Sequence, residues 1–185
     1  MMAITVLLSG GVDSTLCAIL AHERGILQRC LFFDYGQQAV EHERRAARKL
    51  AGLFAVPLVE QSLCLPVSMM NEVPGGGPRV VPNRNFAFMT AAQCLGVKHV
   101  WYGAIGDDYS DYADCRPEWI RETSESLQMT IEAPLIHLSK RDVVLMARDR
   151  RLPLDTTWSC YSPINGMPCD VCNSCIARNV ARKGL

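Results

Sequence analysis

Four of the nine cysteines, Cys160, Cys169, Cys172 and Cys175, stand at the spacing C-x8-C-x2-C-x2-C. A C-x2-C turn presents two thiolates to one ion, and Cys160 closes the set across a loop containing Pro163, Gly166 and Pro168. Four sulfurs leave no open coordination position, so a zinc held here is structural. An iron–sulfur cluster takes the same four ligands, and spacing alone leaves it open. Zinc is the expectation. Clustered thiols in a chain with no secretion signal are metal ligands more often than disulfide partners. The remaining five, Cys17, Cys30, Cys64, Cys94 and Cys115, read as small core residues or loop thiols.

The second motif is Ser9-Gly10-Gly11-Val12-Asp13-Ser14, between an apolar run and a helix-like segment. Two glycines let the backbone turn sharply and approach a ligand with no side chain in the way. Backbone N–H groups and the start of the helix then form an anion site, to which Ser9 and Ser14 add hydroxyls. A carboxylate repels phosphate, so Asp13 reads as a cap or as linked to Mg²⁺. The loop lacks the Gly-Lys-Ser/Thr of a Walker motif and is not G-x-G-x-x-G. The competing reading is an ordinary glycine-rich turn with Ser14 as the helix cap.

Four further segments carry chemistry. Asp34-Tyr35-Gly36-Gln37 follows a second strand, on the edge where open α/β sheets bind ligands. Val81-Pro82-Asn83-Arg84-Asn85 leads into a helix, and its arginine can clamp a phosphate or carboxylate in two-pronged fashion. Residues 103–116 hold four aspartates and two tyrosines. Pro134-Leu135 precedes Ser139-Lys140, where a lysine at a helix start can neutralise pyrophosphate. Each alone is also compatible with a solvated loop or a cap.

Together, the order SGGVDS, DYGQ, VPNRN, YADCRPEW, PLIHLSK and WSCY…PCDVCNSC resembles the 7-cyano-7-deazaguanine synthase family. That family lies within the ATP pyrophosphatase (PP-loop) superfamily, whose loop pattern is Ser-Gly-Gly-x-Asp-Ser. The resemblance runs from about residue 4 to the end, except the loop at 62–80. Three departures stand out. Asn83 occupies the place of the usual glycine in V-P-G-R-N, Ala113 that of a proline, and Asp170 that of a glycine.

The resemblance implies ATP cleaved to AMP and pyrophosphate, with 7-carboxy-7-deazaguanine and ammonia converted to the 7-nitrile. The substrate carboxylate attacks the α-phosphate, ammonia displaces AMP to give the amide, and a second ATP activates the amide oxygen for elimination. Such chemistry needs positioning and charge neutralisation more than a protein nucleophile. Leu8, Ser9, Gly10, Gly11, Val12, Asp13, Ser14, Thr15 and Leu16 are assigned to ATP, with Mg²⁺ bridging its phosphates. Ser9, Asp13, Ser14, Arg84 and Lys140 are assigned to catalysis. Tyr35, Gln37, Arg84, Asn85, Asp107, Asp111, Asp114 and Arg116 are assigned to the substrate, the aspartates without apportioned roles. No glutaminase signature is present, so ammonia arrives free or from a separate partner. The family is typically dimeric, an expectation resting on the resemblance alone. Alternatives are a ligase that stops at the amide, a PP-loop enzyme that modifies tRNA, and a zinc-bearing nucleotide-binding module without turnover.

These residues need elements to hold them. The apolar run at 3–8 reads as a strand ended by the glycine pair, and a helix follows over 14–24. Strands at 30–33 and 56–60 flank a helix at 37–54, in which the charged Glu41-His42-Glu43-Arg44-Arg45 segment solvates the outer face. Residues 62–82, with four prolines and three consecutive glycines, read as a mobile loop or lid. A helix at 86–95, a strand at 98–104 and a helix from Pro117 to about residue 129 follow, and then a stretch at 131–138 that contains a further extended segment. Ser139 and Asp142 form a capping box for a helix through Arg150. The tail from Pro153 reads as irregular.

The expected class is therefore α/β: a mostly parallel sheet flanked by helices, PP-loop-like, with a C-terminal four-cysteine zinc-binding segment. The division is 1–152 for the nucleotide domain and 153–185 for the zinc segment packed on it. The 185 residues carry 19 basic and 19 acidic side chains. Zero net charge lacks the electrostatic footprint of a nucleic-acid binder and favours a small-molecule substrate. No apolar stretch is long enough to span a membrane, and the cytoplasm is the expected compartment.

Overall fold

In the computed structural model, residues 3–65, 81–110 and 112–183 are described. Asp111 and most of the expected lid at 62–82 lie outside them. Five strands, β1 (Ile4–Leu7), β2 (Leu27–Asp34), β3 (Leu58–Ser62), β4 (His99–Trp101) and β5 (Thr130–Glu132), form one sheet in the order β3-β2-β1-β4-β5. All four pairings are parallel. Starting from β1, the chain builds outward through β2 and β3. It then crosses back to β4 and β5 on the other side. The order reverses beside β1, and the crevice beyond the carboxyl ends of β1 and β4 is where such sheets take ligands.

Alternation along the strands explains the layers. Val6, Leu8, Cys30 and Phe32 face one way, onto α1 (Val12–Glu23), α2 (Val40–Leu53) and α5 (Lys140–Asp149), with Leu16, Leu50 and Val143 fully buried between them. Leu7, Leu31, Phe33 and Val100 face the other way, with Met89 of α3 (Arg84–Cys94) and Leu127 of α4 (Pro117–Leu127). Each fully buried leucine or valine contributes about 1.5–3 kcal/mol. Ser139 and Asp142 form the expected capping box at α5: the Asp142 N–H donates to Ser139 Oγ at 3.2 Å, and the Ser139 N–H donates to Asp142 Oδ2 at 3.1 Å.

One expectation holds and one is corrected. The stretch 131–138 does contain an extended segment, β5, which ends at Glu132. Pro134 has no N–H for a ladder, and the chain turns instead, with Ile136 N–H donating to Ala133 O and Leu138 N–H to Leu135 O. The tail, however, is not wholly irregular: α6 spans Asn173–Lys183 and buries Ala181 in the main core. Its apolar stripe of Ile176, Ala177, Val180 and Ala181 starts inside the cysteine cluster, whose spacing obscures the helical period.

Candidate active site and metal centre

The glycine loop sits between β1 and α1, at the reversal of strand order. Gly10 adopts φ +84°, and a Cβ there would lie 2.7 Å from Ala46 Cβ and 2.8 Å from Glu43 O on α2. Gly103, just past β4, is equally confined, because its Cβ would meet Ser14 N at 2.7 Å. Both glycines are thus set by close approach of backbone. Gly11 is the N-cap of α1 and supplies no side-chain cap, which leaves the first N–H groups of the helix for a ligand. Ser14 is not the cap. Its Oγ donates to Gly11 O at 3.1 Å and lies 3.1 Å from Ser9 Oγ. Thr15 Oγ1 donates to the same carbonyl at 2.6 Å. Val12, Thr15 and Leu16 are buried and anchor the helix. Asp13 is neutralised within the protein, with Lys140 Nζ at 2.7 and 2.6 Å from its two carboxylate oxygens.

A cavity of about 230 Å³ opens from this loop. It collects Leu8, Ser9, Asp13 and Ser14 with Tyr35, Gln37, Arg84 and Asn85 of the expected substrate set. Asn83 takes the left-handed conformation at φ 56°, ψ 21° and launches α3, so asparagine does here what glycine does elsewhere. The Arg84 guanidinium then lies over the rings of Tyr35 and Phe88, 5.8 and 5.9 Å from their centroids. Its Nη1 donates to Tyr35 Oη at 3.4 Å, and its buried Nε has no hydrogen-bond partner among the described residues. A buried guanidinium with an unused N–H is suited to a planar anion.

Other expected residues do structural work. Gln37 accepts from Tyr35 N–H at 2.9 Å and donates to Phe33 O at 3.1 Å, so it braces the loop after β2. Asp107 accepts from Lys140 N–H at 2.7 Å and caps α5. Arg116 donates to Tyr109 O and Ser110 O at 3.0 and 3.3 Å, a brace outside the cavity. The Asp114 carbonyl accepts from Tyr102 Oη at 2.7 Å. Asp111 lies outside the described residues.

Several cavity residues lie outside the expected set, Asp108, Tyr161 and Glu43 among them. Asp108, rather than Asp107, lines the wall. Tyr161 reaches it from the tail; its place directly after Cys160 was the available signal. Glu43, read as part of a solvated face, turns inward, and its position three and four residues before the buried Ala46 and Ala47 marks the inner face of α2. Burial pushes the Glu43 carboxyl above the usual carboxylate range, against the opposing Gln37 hydrogen bond and Arg84 charge. The cavity also contains Cys115, whose thiol burial and the carboxylates of Asp108 and Asp114 push up to about 12. It is a protonated, weakly nucleophilic thiol at neutral pH.

The four tail cysteines converge, with all four Sγ atoms within 4.8 Å of one another. Tetrahedral zinc at 2.3 Å from each sulfur implies separations of about 3.8 Å, and Cys160 and Cys169 stand at 3.5 Å. A four-iron cubane places each thiolate on a different iron and needs a wider span, so the set fits a single ion. Backbone N–H groups already point at the sulfurs, from Cys169 to Cys160 Sγ at 3.2 Å and from Cys172 to Cys169 Sγ at 3.4 Å. Burial opposes ionisation of Cys169, but the backbone N–H groups of Val171 and Cys172 and the thiols of Cys160 and Cys172 outweigh it and lower its thiol to about 7. Asp170 supplies the tight turn at φ 57°.

The tail is tied to the glycine loop. Trp158 N–H donates to Gly10 O at 2.9 Å, its indole Nε1 donates to Cys160 O at 2.7 Å, and His42 stacks on its ring at 4.1 Å. Arg178 of α6 reaches back to Leu154 O and Thr157 O at 2.6 and 2.9 Å.

An anion loop at the switch point of a parallel sheet, opening on a cationic and aromatic recess and braced by a four-thiol metal centre, defines a nucleotide-dependent α/β enzyme. Comparison with known proteins narrows the class. The family model described as "Queuosine biosynthesis protein QueC" matches residues 3–77 and 77–184. The chain belongs to the QueC family. It is 33% identical to the 7-cyano-7-deazaguanine synthase of Leptospira interrogans, over 94% of this chain and 83% of that one. It is 32% identical to the synthase of the same name from Campylobacter jejuni, over 93% and 89%. Among solved structures, NMN synthetase from Francisella tularensis shares the fold with a TM-score of 0.55 at 18% identity, covering 91% of this chain and 70% of that one. A predicted subunit of tRNA methyltransferase from Methanocaldococcus jannaschii does so with a TM-score of 0.55 at 15% identity, covering 85% and 92%.

Proposed function

We infer that the chain makes 7-cyano-7-deazaguanine from 7-carboxy-7-deazaguanine and ammonia, as an ATP-dependent ligase. The observation that carries this reading is the continuity of one cavity from Ser9–Ser14 to Arg84 and Tyr35. A nucleotide α-phosphate at the loop and a planar carboxylate at the arginine would meet in it. Ser9, Ser14 and the first N–H groups of α1 hold the phosphates. Lys140 offsets charge that builds on pyrophosphate as the α–β bond breaks. Mg²⁺ carried with the nucleotide would supply further neutralisation, with the Ser14 hydroxyl as an oxygen donor at the loop. Arg84 grips the carboxylate, Tyr35 packs beside the heterocycle, and Asn85 and Asp108 offer polar contacts to its edge.

In the first cycle the carboxylate attacks the α-phosphate and pyrophosphate leaves. Ammonia then displaces AMP and the amide forms. In the second, the amide oxygen attacks a second ATP, and loss of AMP with the remaining N–H protons leaves the nitrile. Zinc is the proposed ion at Cys160, Cys169, Cys172 and Cys175, in a structural role, within a segment at 153–185 that braces the nucleotide domain at 1–152. Nine cysteines without a disulfide suit a reducing compartment such as the cytoplasm. Among the described residues no helix is long and apolar enough to cross a membrane. The exposed Ile176 and Val180 on α6 are the proposed seam of a homodimer.

The test is product analysis after incubation with ATP, ammonium and 7-carboxy-7-deazaguanine. The nitrile mass should appear with two AMP and two pyrophosphate per substrate. ADP as the main nucleotide product, or a product that stays at the amide with excess ATP, would overturn the assignment.

A further inference from the structure

Ammonia must shed a proton when it joins an adenylated carboxyl, and the proposed ligase reading names no group to receive it. The cavity holds one well-placed candidate. Glu43 Oε2 accepts from Gln37 Nε2 at 2.8 Å, while its other carboxylate oxygen has no hydrogen-bond partner among the described residues. The residue lines the cavity beside Arg84, and its backbone carbonyl packs on Gly10, so it faces the recess immediately behind the phosphate loop. Gln37 is itself fixed by Tyr35 N–H and Phe33 O, which leaves the carboxylate little freedom to swing away. The other carboxylates have other tasks: Asp13 pairs with Lys140, Asp34 with Arg44 and the Gly36 N–H, and Asp108, which also lines the cavity, is assigned above to the edge of the heterocycle.

We propose that Glu43 is the proton acceptor for the amination step. The role rests on the ligase reading above. As the nitrogen lone pair forms the N–C bond, one N–H proton passes to the free oxygen of Glu43. The carbonyl then re-forms, and the C–O bond to AMP breaks with its electron pair leaving on the phosphate oxygen. The protonated Glu43 returns its proton to the solvent before the next cycle. The raised affinity of this carboxyl for a proton, which burial imposes, suits the task.

Three measurements on wild type, Glu43→Gln and Glu43→Asp test this. They are carboxylate-dependent exchange of pyrophosphate into ATP without ammonia, product formation with ammonium chloride, and hydroxamate formation with hydroxylamine. Hydroxylamine is far less basic than ammonia and sheds its proton to water more readily. For Glu43→Gln, the ratio of ammonia-dependent product to exchange should fall about 100-fold, and the hydroxamate rate should fall much less. Glu43→Asp keeps a carboxylate and should retain an intermediate ratio. An unchanged ratio, or amide and hydroxamate falling in parallel, would overturn the role. Absence of exchange by the wild-type chain would instead bring down the ligase reading, and this role with it.

Discussion

Lys140 Nζ grips both carboxylate oxygens of Asp13, at 2.7 and 2.6 Å, across 127 positions of sequence. The pair joins the first turn of α5 to the first turn of α1. It also places a neutral unit where a bare carboxylate would repel polyphosphate. Both side chains are partly shielded, at 14% and 24% exposure, so screening by water is incomplete.

Lys140→Met should therefore raise KM for ATP at least tenfold, because it strips a phosphate partner and leaves Asp13 uncompensated. Asp13→Asn added to it should recover part of the loss, with a coupling of roughly 1–3 kcal/mol. Exchange kinetics on the two singles and the double give this number. Strictly additive losses would show that the pair does not act as a unit.

Arg84→Lys keeps the charge and removes the planar fork. KM for the deazaguanine carboxylate should rise roughly 10–100-fold, while KM for ATP moves much less. Steady-state kinetics with each substrate varied in turn separate the two. Equal changes in both constants would place Arg84 at the nucleotide instead.

Cys172→Ser should remove the bound ion, which elemental analysis would read directly. Structural zinc contributes on the order of 10–16 kcal/mol of apparent binding energy in small modules, so the tail should lose its protection from protease. Trp158 would then release Gly10, and ATP affinity should fall as well. Full metal content with intact melting behaviour would refute the four-thiol assignment.

Glu132 gives a pH dependence. Burial opposes its ionisation, but hydrogen bonds from Trp101 Nε1 and His99 Nε2 outweigh it and hold its carboxyl below the ordinary glutamate value of 4.5. A carboxyl depressed by folding stabilises the folded state above its unfolded pKa, and that stability is lost as pH falls through the folded value. Wild type should thus melt higher than Glu132→Gln near pH 7, and the two curves should converge under acid below about pH 4.5. A constant gap down to pH 3 would refute the link.

Much of this site is legible in the residues. The apolar run before Ser9, the glycine pair, the four thiols and the Ser139–Asp142 box each have a local physical cause. Asn83 and Asp170, which depart from glycine in the related pattern, both sit at positive φ, as their short polar side chains permit. What could not be read depends on tertiary approach. The place of Glu43 three and four residues before Ala46 and Ala47 puts it on the inner face of α2, but only the approach of α2 to Gly10 sets it in the cavity. Asp107 and Asp108 are adjacent, and only the turn at Gly106–Asp108 decides that one caps α5 and the other faces the cavity. Likewise α6 hides within a cysteine spacing, because the period of a metal motif and that of a helix overlap there.

The bond from Trp158 to Gly10 also sets an order on synthesis. The phosphate loop leaves the ribosome well before its braces, Lys140, Trp158 and the thiols that follow Trp158. At about 5–20 residues per second, the interval is roughly 10–30 s. Throughout it the nascent sheet has an unfinished loop that cannot draw stability from bound nucleotide by mass action. The strands and the helices already made must hold on hydrophobic burial alone. On the proposed metal and nucleotide sites, a cell short of the metal should therefore accumulate chains that are largely folded yet bind ATP weakly.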